Sequence, residues 1–477
     1  MANQSEIPLY TALCNHNNKK PISFHVPGHK YGLLSHEESF FHDILKIDAT
    51  ELTGLDDLHS PEGPILEAET LLAELYQVQK SFFLINGSTV GNLAMMMAVC
   101  SEGDTVLVQR NCHKSIMNAI RLVKAQPIFL DPEYDDNWKV SAGVSITTVE
   151  QAIRLFPDTK AIVLTYPNYY GMVYDLQGII QEAHIHNIPV LVDEAHGSHF
   201  IIGSPFPKSA VTLGADVVVQ SAHKTLPAMT MGSFMHINSQ LVDVEKLKES
   251  LTIFQSSSPS YPIMASLDLA RNYLAEYQQN DVDYLLSEIS KFKKELSKIP
   301  TIKILDFPNA TGDWLKITIQ TRSILNGFEL QQKLEQYSIY TELADPNNVL
   351  FVLPLLKKGQ TYPLQETAIN IRKALGNLPY QEPRQYTFNN RIKISQLAIE
   401  YKEMDRLEVE EISLEKALGC VCAETIIPYP PGIPLLLKGE QITADKLGQL
   451  NRMIEMGARF QGGSLLKMGL VKVFRTL

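Results

Sequence analysis

The chain is poor in several features that would each define a class of protein. Its 477 residues include five cysteines, Cys14, Cys100, Cys112, Cys420 and Cys422. An odd number at scattered spacings does not make a disulfide framework. Cys420-Val-Cys422 is too tight for a zinc knuckle and has no matching pair. All five read as reduced thiols. No window approaches the roughly 18 consecutive apolar residues that a membrane-spanning helix needs. The opening stretch MANQSEIPLYTALCNHNNKKP has no apolar segment behind a basic start. Neither a signal peptide nor a membrane helix is expected, and the cytoplasm is the default location. Lys and Arg form no run, and the formal net charge is −11, which speaks against a nucleic-acid partner. No G-x-x-x-x-G-K-[ST] loop occurs, so DEAH at 193–196 is not the box of a nucleotide-driven motor. There is no internal repeat and no low-complexity tract.

What the chain does have is a series of short, apolar, β-branched runs. They are SFFLI (81–85), TVLVQ (105–109), AIVLTY (161–166), VLVDE (190–194) and DVVVQ (216–220). Most are followed by a turn signal and then by a helical pattern. Strands alternating with helices predict βαβ units and a mainly parallel sheet. Covering both faces explains why the runs are apolar throughout and do not alternate. Residues 1–60 read as an irregular arm with loops, and 61–298 as one large α/β domain. Residues 299–380 read as a small α+β domain and 381–477 as a C-terminal domain holding the proline-rich YPPGIPLLLKGE at 429–440.

In an open parallel sheet, ligands bind beyond the carboxyl ends of the strands. Polar and titratable residues gather there: Ser88 and Thr89 in NGSTVGN, and His113 in NCHKS. Asp193 and His196 follow in DEAHGSH, and Ser221, His223 and Lys224 in SAHKTL. Small polar residues opening a helix suit a phosphate, although an ordinary helix cap looks the same. His196 and His199 have the spacing of metal ligands. A zinc site needs a third ligand, and neither His113 nor His223 is fixed as one, so no metal is expected. A lysine at the end of a buried strand needs a reason, because stripping water from an ammonium is costly. Pyridoxal phosphate supplies that reason. Its aldehyde takes a lysine amine, its pyridine nitrogen takes an aspartate, its ring takes a stacking partner and its phosphate takes a helix start.

These motifs resemble the bacterial ornithine/lysine/arginine decarboxylases, enzymes of fold type I that use pyridoxal phosphate. FHVPGHKYG (24–32), TELTGLDDLHSPEGPILEAE (50–69), NGSTVGN, RNCHKS, DEAHGSHF, SAHKTL, ELADPNNVL (342–350) and PYPPGIPLLLKGE (428–440) follow in the family's order. The resemblance implies a large transferase-like domain with a mainly parallel seven-stranded sheet, helices on both faces and smaller α+β C-terminal domains. It gives Lys224 the covalent link to the cofactor, Asp193 the pyridine nitrogen and His113 the ring face. Ser88, Thr89, Ser221 and His223 would hold the phosphate. His196 would sit against the ring oxygen or the substrate carboxylate. Ser256, Ser257 and Ser258 would reach the phosphate of a neighbouring subunit, or form a solvated loop. Longer members carry an N-terminal wing that builds large rings; this chain starts at the arm before PGHK, so a dimer or tetramer is expected. Lys438 and Ser198 depart from the family's usual Pro and Ala.

The expected reaction is α-decarboxylation of a basic L-amino acid, with Lys224, His223, His113 and His196 as the catalytic set. The proton that replaces CO₂ would come from His223 or Lys224. A cationic side-chain end calls for carboxylates, and Glu342, Asp345 and Glu440 lie in family-like blocks, with Asp56 and Asp57 in another. Short family members often feed polyamine synthesis, which favours arginine over lysine and ornithine. Another pyridoxal-phosphate reaction (aldol cleavage, transamination or elimination) or a non-catalytic paralogue are the alternatives.

Overall fold

The computed structural model describes residues 3–36, 39–382, 393–428 and 433–475. Residues 429–432 of the proline-rich stretch therefore lie outside the described residues. The chain divides into two compact units, Met1–Val99 with His184–Gln278, and Cys100–Ala183 with Gln279–Leu477.

The first unit carries four strands in the order Lys80–Leu84, Ser233–Ile237, Val217–Gln220, Val190–Asp193. Val190–Asp193 and Val217–Gln220 are parallel, with Asp193 opposite Val219. The other two pairings are antiparallel. The antiparallel turn has a local cause: residues 221–232 link Val217–Gln220 to Ser233–Ile237 and hold only the four-residue helix Ala222–Thr225. A four-residue helix, about 6 Å long, does not run back along the sheet as a crossover helix does, and the chain doubles back. Leu191, Val192, Val217, Val218 and Val219 are fully buried. Each such side chain contributes about 1.5–3 kcal/mol, which is why these runs lack polar alternation. Lys80–Leu84 ends the strand order, and its outer edge is covered by side chains. Glu69 accepts from the Phe83 N–H at 2.9 Å, and Gln255 accepts from the Ile85 N–H at 2.9 Å. Covering an edge in this way blocks strand addition.

The first 60 residues are less irregular than expected. Pro8–Asn18 is a helix with Leu9 and Leu13 buried. It is held by the carboxylate of Asp268, which accepts from the Leu9 N–H at 3.0 Å. A helix of 11 residues is marginal by itself; this one is stabilised by a partner far along the chain.

The second unit carries Ala161–Thr165, Thr105–Gln109 and Gln126–Leu130 in parallel, with Ile394–Gln396 added antiparallel. Gln126–Leu130 lies outside the five apolar runs because Pro127 interrupts its pattern. A separate antiparallel sheet runs Ile302–Ile304, Lys316–Thr321, Asn348–Val352, Leu343–Ala344. Val409–Ser413, Leu470–Phe474 and Val421–Cys422 form a further small sheet. Among the described residues, no helix is long and apolar enough to cross a membrane. No group of three or more His, Cys, Asp or Glu among them could hold a metal ion. None of the five cysteines is joined in a disulfide among the described residues.

Candidate active site

In the first unit, the parallel strands Val190–Asp193 and Val217–Gln220 end at the same edge, because their register sets Asp193 beside Val219. Each continues into a short polar turn. The first turn brings Ala195 and His196. The second brings Ser221, then the helix Ala222–Thr225 with His223 and Lys224. The two turns meet where Lys224 Nζ lies 3.2 Å from His196 Nε2. That is hydrogen-bond distance, so one nitrogen donates the proton and the other accepts it.

Asp193 is 3% exposed. One of its oxygens accepts from Asn92 Nδ2 at 2.9 Å, and the other from the Ala195 N–H at 3.1 Å. Ser221 is fully buried, and its Oγ has no hydrogen-bond partner among the described residues. A buried hydroxyl in that state costs free energy unless something binds it. His223 is fixed differently: its Nδ1 donates to the Gly232 carbonyl at 3.0 Å, which commits the tautomer and points the rest of the ring elsewhere.

Ser88 and Thr89 sit in the first turn of the helix Gly87–Val99. Gly87 has φ of 77° and donates its N–H to the Met231 carbonyl at 2.9 Å. A side chain would be strained at that φ, so glycine lets the strand Lys80–Leu84 turn directly into the helix. Helix starts carry partial positive charge and unpaired N–H groups. Asn92 stands one turn beyond Ser88 on the same helix and reaches Asp193. The motif NGSTVGN contains Asn92, yet only its spacing of four from Ser88 marks it, and its partner is 101 positions away.

Glu194 follows Asp193 but faces the interior. It is fully buried and accepts from Ala210 N at 2.7 Å, Ser209 Oγ at 2.7 Å and Gln220 Nε2 at 2.6 Å. Burial pushes it up to about 8, against those three donors. Nothing in DEAH distinguishes this buried carboxyl from a solvated one.

The remaining candidates have these surroundings. His113 belongs to the second unit, where it caps the helix Lys114–Val123 and its Nδ1 lies 2.8 Å from Ser115 Oγ. Glu342 is exposed. Asp345 accepts from Tyr170 at 2.5 Å and from the Asn347 and Asn348 N–H groups at 2.7 and 2.8 Å. Burial raises it above the usual carboxylate range despite those donors. Glu440 is buried and takes Arg110 on both oxygens, at 3.2 and 2.8 Å, together with the Lys446 ammonium. Burial works to raise it, and the two cations outweigh that and hold it below its ordinary value. Asp56 caps the helix Pro64–Tyr76, accepting from Gly63 N at 2.8 Å and Ile65 N at 3.0 Å. Asp57 accepts from His59 N at 2.9 Å. Ser256, Ser257 and Ser258 are exposed.

Known proteins match this chain over most of its length. Residues 7–312 match the major domain of the Orn/Lys/Arg decarboxylases, and residues 385–463 match their C-terminal domain. The uncharacterized protein YaaO of Bacillus subtilis is 45% identical over 470 residues, covering 96% of this chain and 97% of the relative. An arginine decarboxylase of Bacillus anthracis is 33% identical over 486 residues, covering 99% of this chain and 98% of the relative. In three dimensions, the lysine decarboxylase of Francisella novicida superposes with a TM-score of 0.82 at 20% identity, covering 99% of this chain and 82% of that one. The chain thus belongs to the Orn/Lys/Arg decarboxylase family, and it is a pyridoxal-phosphate-dependent amino-acid decarboxylase of fold type I.

Proposed function

We propose that this enzyme removes the α-carboxylate of L-arginine, in the cytoplasm, as a step toward polyamines. The observation that carries the chemistry is the Lys224 amine beside His196, on the two turns that follow the strand ends bearing the Asp193 carboxylate and the orphaned Ser221 hydroxyl. These residues fit pyridoxal phosphate. Lys224 would hold it by its aldehyde carbon, and Asp193, oriented by Asn92, would keep its ring nitrogen protonated. Ser221 would donate to its phosphate, with Ser88, Thr89 and His223. When bound, the cofactor supplies the electron sink for the pair left behind by CO₂. The protein supplies position and protons. His196 holds or releases the proton it shares with Lys224, and Lys224 or His223 delivers one to the α-carbon.

The choice of arginine is supported by relatives of that name, which match over nearly their whole length at 33% identity; the lysine decarboxylases of Escherichia coli match at 24% over 78% of theirs. We also infer a homodimer. Ile22, Phe24, Leu33, Leu34 and Phe40 stand exposed on the N-terminal arm, and such apolar surface marks an association site. Arginine, lysine and ornithine, each incubated with cofactor-loaded protein, test the proposal. Agmatine from arginine is the expected product, with none from Lys224→Ala. Cadaverine or putrescine as the main amine would overturn the choice of arginine.

A further inference from the structure

Behind the strand ends lies a closed chain of buried polar groups that the reaction does not use directly. Gln220 Nε2 donates to Glu194 Oε2 at 2.6 Å. The amide oxygen of Gln220 therefore accepts, and its partner at 3.2 Å is His236 Nε2. That nitrogen must carry the proton, so Nδ1 of the same ring accepts from Ser81 Oγ at 2.8 Å. His236 is neutral: burial pushes it down to about 3. Its ring stacks on Tyr76 with centroids 4.0 Å apart, and the Tyr76 hydroxyl donates to the Ser198 carbonyl at 2.6 Å. Every hydrogen bond in the relay points one way, from Ser81 toward Glu194.

Its position matters more than its length. Asp193 and Val219 are the last partners in the ladder between the two parallel strands, and the Glu194 N–H donates to the Val219 carbonyl at 2.8 Å. Beyond that bond, the Glu194–Gln220 side-chain pair holds the strands together. Glu194 opens the turn to His196; Gln220 directly precedes Ser221 and, four residues on, Lys224. The same turn packs on Glu194: a Cβ on Gly197 would lie 2.6 Å from Glu194 Cγ. Ala210 and Ser209 close the other side of the carboxyl.

We propose that Glu194 and Gln220 are positioning residues whose hydrogen bond sets the spacing between Asp193 and Lys224, and thereby the fit of the cofactor. This rests on the reading that Asp193 and Lys224 hold pyridoxal phosphate. The test exchanges the polarity of the pair. Gln220→Glu sets two carboxyls against each other. Adding Glu194→Gln restores one donor facing one acceptor and leaves the Ala210 and His236 donors their acceptors. Cofactor affinity is read by absorbance titration of apoprotein, the fold by its melting temperature, and catalysis by kcat and KM separately.

Gln220→Glu should weaken cofactor binding at least tenfold and lower kcat more than it raises KM. The double variant should bind within threefold of the parent. The proposal fails if Gln220→Glu binds cofactor as the parent does. It fails equally if the double variant, folded with the parent's melting temperature, is still impaired. Should Gln220→Glu be insoluble, the double variant alone decides on the same threshold. A parent protein that bound no cofactor would instead overturn the underlying assignment of Asp193 and Lys224.

Discussion

Gly91 lies in the helix that begins at the proposed phosphate site, and Gly91→Ala sets two known effects against each other. A Cβ there would sit 2.7 Å from Val219 Cγ1, 2.8 Å from Leu84 Cδ1 and 3.0 Å from Val219 Cγ2. In an exposed helix, glycine to alanine gains about 1 kcal/mol. Here the methyl meets a strand valine that is fully buried and stiff about χ1. Overpacking of that kind costs about 1–3 kcal/mol. The net effect on the fold is a loss of about 1 kcal/mol, a modest fall in melting temperature.

The functional effect is larger. Relieving a 2.7 Å contact to ordinary van der Waals distance moves the helix by about 0.7 Å. The Asn92–Asp193 bond is 2.9 Å, and a shift of that size carries it beyond the roughly 3.2 Å limit of a good N–H···O bond. Ser88 and Thr89 move with the same helix. Cofactor affinity should fall about tenfold, equivalent to about 1.4 kcal/mol, as read by titrating apoprotein. Val219→Ala in the same chain removes both Cγ contacts and should restore most of the affinity, at its own cavity cost of about 1–3 kcal/mol in stability. A Gly91→Ala protein that melts higher than its parent and binds cofactor equally well would refute the reasoning, because the helix would then have room that the packing denies it.

Two other sites give separate tests. Glu440→Gln leaves the buried Arg110 and the Lys446 ammonium without their shared carboxylate, and it should cost about 3–5 kcal/mol, read as a lowered denaturation midpoint. KM for the amino acid should stay within twofold; a large rise in KM at unchanged stability would make Glu440 a substrate ligand. Glu69 is raised by burial from 4.5 to about 8, so between those values the folded state binds more protons than the unfolded state. Its contribution to stability is complete below pH 4.5 and is lost as pH rises through 8, by about 1.4 kcal/mol per pH unit at most. Glu69→Gln still accepts the Phe83 N–H, and it should flatten the fall in melting temperature between pH 5 and 8; an unchanged slope would show that Glu69 is ionised in the fold.

The sheet edge was legible because its physics is local. Runs such as VVVQ and VLVD need no distant partner to read as buried strands, and titratable residues at their ends stand out against them. Lys224, Asp193 and Ser221 could be placed at the strand ends from the sequence for that reason. What stayed hidden depends on residues far apart in sequence. Asn92 acquires its role from Asp193, and the helix Pro8–Asn18 from Asp268. Gln126–Leu130 is a strand whose Pro127 conceals it. The reversal of Ser233–Ile237 goes with a connection whose helix has only four residues, which apolar patterning does not report. Glu194 shows the limit most clearly. Beside Asp193 in DEAH the two acids look equivalent, and only the alternation of side chains along an extended chain sends them to opposite faces.

That alternation bears on how the site is built. Two adjacent carboxyls in a buried turn would repel if they shared a face. Placed back to back, one has Asn92 as its donor, and the other closes a relay of hydrogen-bonded groups in the interior. The interior side satisfies its polar atoms: Glu194 has three donors, Gln220 two partners and His236 two. On the other side, Ser221 buries a hydroxyl that no described residue satisfies, and an amine stands beside an imidazole. A fold that is consistent at every other level tends to break local rules where it does chemistry. Here the orphaned Ser221 hydroxyl lies on one side of the turn and the Glu194–Gln220–His236 network on the other. The network behind can therefore hold the strand ends rigid, so that the buried Ser221 hydroxyl and the hydrogen-bonded Lys224–His196 pair in front keep their places.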